Sequence, residues 1–284
     1  MRRAHHLLRT LLATGACLPA ACLPAGALAT PTVSLRADLH PEILGHSTTV
    51  DFRVQIAPTT ELIPPPLTEA NVRYPAGLDI TLSGLGIDTC SAATLELSGP
   101  QACPADSWMG DGRTVAEFPV KHEVFREAAQ IAVLRTTEQT GHLALLFYAY
   151  EETAVSAQIL FTGQLLPARA PFGGLLYIQV PLVASLPEAP YLSVAEIQLV
   201  LGPKDLTYYE RVNGRVVPYK PAGIRLPGHC PRGGFPFAVE LGFLGGNHAS
   251  NHTTVPCPSG SGQRRQSRPP RLRGSRTSTS AASI

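Results

Sequence analysis

Proline and glycine set the first limit on this chain. Its 27 prolines and 25 glycines are scattered along the whole length, and a proline inside a helix removes a backbone donor and clashes with the preceding turn. Long helices are excluded, and what lies between the breakers has the period of strands. Turn signals about every 8–12 residues are the mark of sandwiches and barrels. Val50, Phe52, Val54 and Ile56 alternate with Asp51, Arg53 and Gln55, as in a strand with one wet face. Leu192 to Leu201 repeats the pattern, with Val194, Ala195, Ile197, Leu199 and Leu201 carrying the apolar positions. His142 to Tyr150 is apolar on both faces, which predicts a central strand covered on both sides. Tyr208 to Tyr219 reads as a hairpin about Asn213-Gly214, a pair that accepts the positive φ angles of a type I′ turn. Pro218 places that hairpin at a sheet edge. Only Glu123 to Leu134 is rich in helix formers, and its Ile131-Ala132-Val133-Leu134 end reads equally well as a strand. The expected fold class is all-β: a β-sandwich, immunoglobulin-like or related. It would form one large or two smaller units, with a possible division near residues 165–190.

The ends of the chain differ from this body. Arg2, Arg3 and Arg9 precede an uncharged apolar run from Leu11 to Leu28, which ends in Ala27-Leu28-Ala29. That is the layout of a secretory signal peptide over 1–29, since Pro19 and Pro24 interrupt the run and no stop-transfer charges follow. Pro19 also makes the residues before Cys22 a poor lipobox. Residues 259–284 are Gly-, Ser-, Pro- and Arg-rich, a composition that buries too little to fold. The charge follows the same division. Residues 30–258 hold 14 Lys+Arg against 21 Asp+Glu, a balance of −7, while the tail holds six arginines and no acid, +6. An acidic body argues against nucleic acid as partner. The tail is either a solvated arm or a cationic hold on an anionic wall polymer or lipid headgroup.

Export removes two of the six cysteines with the leader and leaves Cys90, Cys103, Cys230 and Cys257. Four cysteines in an exported chain suggest two disulfides, with three possible connectivities. The pairs Cys90–Cys103 and Cys230–Cys257 are expected, because each brackets a short, turn-rich segment. A thiolate metal site is disfavoured by the lack of any Cys-x-x-Cys pair.

From Tyr74 onwards a wider pattern is visible. Pro75-Ala76-Gly77-Leu78 leads to Cys90, then to Cys103-Pro104-Ala105-Asp106-Ser107 and Gly110. Pro171-Phe172-Gly173-Gly174-Leu175, Leu206-Thr207-Tyr208-Tyr209 and Cys230-Pro231-Arg232-Gly233-Gly234-Phe235-Pro236-Phe237 follow. Over roughly 70–258 the chain resembles a group of secreted, β-rich, cysteine-paired proteins of high-GC bacteria. The resemblance implies a shared exported β architecture and brings no activity with it.

No catalytic, cofactor or metal set emerges from spacing. His248 and His252 would share a metal only on a helix; in a strand, four residues at 3.3 Å each hold them about 13 Å apart. His122-Glu123 starts no His-Glu-x-x-His motif, because residue 126 is Arg. Ser83 lacks the glycine two residues earlier that a nucleophile elbow needs. Glu151 and Glu152 would point to opposite faces of a strand. The one candidate ligand loop joins Asp106, Trp108 and Asp111 beside Cys103. Trp108, the single tryptophan, either caps one end of the core with the disulfide packed on it or serves as a sugar platform flanked by the two carboxylates. The functional expectation is a secreted or cell-surface, non-enzymatic interaction module. Its partner would be an envelope polymer or another surface protein, with no cofactor, no nucleic acid and no membrane span after leader removal. A carbohydrate-binding protein or hydrolase with a loop-built site is the alternative.

Overall fold

A computed structural model describes residues 30–78, 88–121, 123–150, 158–184, 190–202, 207–219 and 224–258. The expected leader with Cys22, the arginine tail, Ser83, His122, Glu151 and Glu152 lie outside these residues. The strands, in chain order, are β1 (Thr32–His40), β2 (Ser47–Ala57), β3 (Leu67–Pro75), β4 (Trp108–Val120), β5 (Glu123–Gln139), β6 (His142–Tyr150) and β7 (Gln158–Pro167). They continue with β8 (Phe172–Gln179), β9 (Ser193–Leu201), β10 (Tyr208–Val212), β11 (Arg215–Tyr219), β12 (Ile224–Arg225), β13 (Phe235–Phe243) and β14 (His248–Val255). One helix, α1 (Ala92–Ser98), precedes β4.

The chain is all-β, and twelve of these strands form one antiparallel sheet. Its hydrogen-bonded path runs β1-β2-β9-β4-β5-β6-β7-β8-β3-β13-β14, with β12 added to β2. The two ends of that path lie side by side. Asn251 of β14 donates its side-chain amide to the Val33 carbonyl of β1 at 2.7 Å, so the sheet is nearly closed on itself. Near-closure disposes of the exposed edges that make open sheets prone to aggregation.

Alternation decides which side chains enter the enclosed space. Val50, Phe52, Val54 and Ile56 are all buried, as their period demands. Phe147, Phe235, Phe237, Val239 and Leu241 join them in the main core. Fully burying one such side chain stabilises by about 1.5–3 kcal/mol. The second apolar residue in Val194-Ala195 has a local cause. The β4–β9 register slips between Val115 and Ala116, so a bulge absorbs Ala195 and Ile197 and Leu199 return to the interior.

β6 is covered on both sides, and the residues explain how. Leu145, Phe147 and Ala149 belong to the enclosed core. Leu146 and Tyr148 belong to a separate cluster on the outer face, with Ala132, Leu134, Leu95, Cys90 and Cys103. The outer cluster is roofed by α1, whose ends are well defined. Ser91 Oγ accepts from the Thr94 amide at 3.1 Å, and the Gly99 amide donates to the Leu95 carbonyl at 2.9 Å. Seven residues are too few for a helix to persist alone in water. Leu95, with no exposed surface, and the Cys90–Cys103 bridge, with its Cα atoms 5.3 Å apart, hold it down. The second bridge, Cys230–Cys257, spans 5.8 Å between Cα atoms and ties the approach to β13 to the end of β14. Both pairs are the sequence-adjacent ones expected.

Glu123–Leu134 is strand, not helix. It is the first part of β5, paired with β4 from Val120↔Glu123 to Trp108↔Leu134. Asn213 and Gly214, at φ 49° and 79°, turn β10 into β11 as expected, and the two form a separate ribbon that includes Pro218. No helix among the described residues is long and apolar enough to cross a membrane.

Candidate functional site

The loop singled out in the sequence lies against the outer cap. Trp108 opens β4, opposite Leu134, and packs half-buried on the cluster that contains Cys90, Cys103 and Tyr148. Asp106 sits in a short 3-10 turn, Ala105–Ser107, fixed by the Ser107 hydroxyl donating to the Pro104 carbonyl at 2.7 Å. Asp111 lies further along β4, opposite Ala132 on the outer face. Its side remains open to water, yet enough protein surrounds the carboxyl to desolvate it and raise its pKa above the ordinary value. Burial likewise raises the Tyr148 hydroxyl, with a smaller contribution from Tyr150. Trp108 thus packs in part against the cap, beside the disulfide.

His248 and His252 are both on β14, opposite Gly242 and Ala238, and both are exposed. The element is a strand, the geometry in which the pair stands too far apart to share an ion. Among the described residues no group of three His, Cys, Asp or Glu side chains is placed to hold a metal.

The feature with the shape of a binding site is inside the sheet. A cavity of about 290 Å³ is lined by β3 to β9 and by residues 180–184 and 192 between β8 and β9. That volume approaches the lower end of the roughly 300–1,000 Å³ typical of small-molecule sites. Its walls include Ile131, Phe147, Ala149, Ile159, Phe161, Ile178 and Leu199. Phe147 and Phe161 stack in parallel with their centroids 5.3 Å apart. Of the described lining residues only Thr114 and Glu127 are polar, and the Thr114 hydroxyl is spent on the Glu196 carbonyl at 2.9 Å. A cavity with so apolar a lining stays dry and favours apolar occupants.

Small side chains make the space. Along the inward face of β4 the residues are Gly110, Gly112, Thr114 and Ala116, with Phe118 last. Ala129 of β5, Ala149 of β6 and Ala70 of β3 face the same void. The first two glycines are required by close approach: a Cβ at Gly110 or Gly112 would collide with the Val200 or Gln198 carbonyl of β9. A smaller void of about 60 Å³ lies towards the other end of the interior, among Phe52, Met109, Tyr74 and Phe237, and Leu199 lines both spaces.

The β4–β5 hairpin extends past the described parts of its neighbours on the cavity side. Among the described residues, β9 pairs with β4 as far as Glu117↔Ser193, and β6 pairs with β5 from Gln130 onward. Along the inward face of β5 exposure rises from Ile131, at 6%, to Phe125, at 44%. Phe125 stacks on Phe118, which itself lines the cavity, at 5.8 Å. At the base of the overhang, on the outer face, buried Glu117 accepts from Arg126 Nε at 2.6 Å.

The sequence holds a signal for this site, namely small residues at period 2 inside strands (Thr114 and Ala116 of β4, Ala129 of β5). Alternation of apolar and polar residues does not reveal it, because an inward-facing alanine and an inward-facing leucine satisfy the same pattern. No family model matches the chain, and no curated protein or solved structure matches it either.

Proposed function

We propose that this chain is an exported, non-enzymatic binding module that carries a small apolar molecule within its sheet. The observation that carries the proposal is the cavity between β3 and β9, with two polar side chains among the described residues of its lining. The described residues of the lining offer one carboxylate and no histidine, and an acid–base or nucleophilic site needs at least two convergent groups. This favours binding over the hydrolase alternative. Export is supported by the leader-like 1–29 segment and by two disulfides, which persist in oxidising compartments. The same reading takes the sheet as a barrel around its ligand rather than a sandwich of the immunoglobulin kind. Its support is the single hydrogen-bonded path whose ends meet at Asn251 and Val33.

A second, surface role keeps one observation in its favour. The outer strip of β13 and β14 presents Glu240, His248, Ser250 and His252 with Arg73 of β3, a polar face suited to an envelope polymer or another surface protein. The resemblance to secreted proteins of high-GC bacteria fits either role.

The test is a titration of the mature protein with an environment-sensitive naphthalene probe. Saturable binding near one equivalent, abolished by Ala149→Leu and retained by a substitution at exposed His252, is the expected result. Absence of saturable binding, or binding that Ala149→Leu leaves intact, rejects the cavity as the site.

A further inference from the structure

The space inside the sheet is divided at one level. Leu199 of β9 lines the large cavity on one side and the small void on the other. On β6 the boundary falls between Phe147, which faces the large cavity, and Leu145, which faces the void. On β8 it falls in the same way between Ile178 and Leu176.

Glycines make room for this layer. A Cβ at Gly112 would come within 2.8 Å of Leu199 Cδ2, and one at Gly163 within 2.9 Å of Phe147 Cε2. The ends of Leu199 and Phe147 thus take the space that side chains at these two positions would need. The two are held differently. Phe147 is stacked on Phe161 at 5.3 Å, whereas Leu199 has a void on each side and lacks partner atoms there.

The large cavity is also narrow. Its described lining on β9 runs from Val194 to Leu199, about 16 Å at roughly 3.3 Å per residue. Over that length a volume of about 290 Å³ leaves a width of about 4 Å, close to the contact distance between carbon atoms. The shape suits a single chain or a flat ring and excludes a bulky polycycle.

Resting on the binding role proposed above, the geometry points to Leu199 as the floor of the cavity and the residue that sets how long an unbranched alkyl chain the protein accepts. The chain lies along β9, and its terminal methyl meets Leu199. Methylenes beyond that length find no burial and add no affinity. Leu199→Ala removes three carbons of the floor and opens the void of about 60 Å³ behind it. A cavity of about 150 Å³ holds one benzene, or about 25 Å³ per carbon, so the joined space takes a chain about five carbons longer.

The experiment measures displacement of the naphthalene probe from the mature protein by n-alkanols from hexanol to tetradecanol. In the unaltered protein affinity should rise about fourfold per methylene up to a break and stay level beyond it. In Leu199→Ala the break should come about five carbons later or lie beyond the series. A second measurement needs no variant, so it decides even where Leu199→Ala does not fold. Dodecanol should shift the methyl NMR signals of Ile178, Ile197 and Leu199 and leave those of Val72, Leu165 and Leu201 unmoved. A rise without a break in the unaltered protein, a break that Leu199→Ala leaves in place, or shifts at Val72 and Leu201 would overturn the assignment. Failure of every alcohol to displace the probe rejects the binding role itself, which separates that outcome from an error about Leu199.

Discussion

Filling the cavity should stabilise the protein. Ala149 is buried on the inward face of β6 and lines the void, with Ile131 and Ile159 as its cross-strand partners. Ala149→Leu adds three carbons to a space already present. At about 0.8 kcal/mol per buried methylene, less about 0.5–1 kcal/mol of leucine rotamer entropy, the net gain is about 1.5 kcal/mol. For a body of this size that corresponds to a rise in Tm of about 3–6 °C. Ala132→Leu is the matched control. Ala132 is equally buried, one strand away, but it faces the filled outer cluster under α1 and the Cys90–Cys103 bridge. The same three carbons there overpack the cap and should cost about 1–3 kcal/mol. Urea unfolding of both variants, followed by near-UV circular dichroism, gives the comparison directly. Equal destabilisation by the two substitutions would refute the reasoning, because it would mean that no free volume adjoins Ala149.

Three further outcomes follow from individual groups. Asp111 has a raised pKa from desolvation, so the folded state holds its proton more tightly than the unfolded chain does. Stability is then lost as pH rises through the carboxylate range. Asp111→Asn should therefore be more stable than the parent at pH 7, with the advantage gone below about pH 3.9; a pH series of unfolding midpoints checks both ends. Ser193 is fully buried and its hydroxyl has no partner among the described residues, so Ser193→Ala should be neutral or stabilising by up to about 1 kcal/mol by thermal melt. Replacing both cysteines of one bridge by alanine should cost about 2–5 kcal/mol. The Cys230–Cys257 loop, at 27 residues against 13, should cost about 0.6 kcal/mol more than the other by closure entropy, measured in chemical denaturation.

How much of this was legible in the sequence depends on the kind of signal. The strand positions Val50 to Ile56, the doubly covered β6, the Asn213-Gly214 turn and both disulfides follow from local rules, because period, turn chemistry and short loops act within a few residues. Helix α1 was missed although its caps are present in Ser91 and Gly99. Its seven residues are too short for periodicity to register, and its stability comes from tertiary burial of Leu95. The sheet order was not readable, since β9 inserts between β2 and β4 and β3 pairs with β8 and β13. These are long-range pairings that leave no trace in neighbouring residues. Trp108 was singled out as a rare residue beside a cysteine, and the structure gives it a place in the cap. The cavity, by contrast, is made by an absence of side-chain volume across β3, β4, β5 and β6. Each small residue is unremarkable alone, and only the register that aligns Thr114 with Ala129, and Ile131 with Ala149, turns them into one space.

The central claim is that the space inside the sheet, and not its surface, is where this protein binds its ligand. Methyl-resolved NMR during a titration with the naphthalene probe tests it most directly. Shifts should be concentrated at Ala129, Ala149, Ile159, Ile178 and Leu199, and Leu95 and Leu134 beneath the outer cap should stay still. Shifts confined to the cap around Trp108 or to β13 and β14, with the interior methyls unmoved, would contradict it.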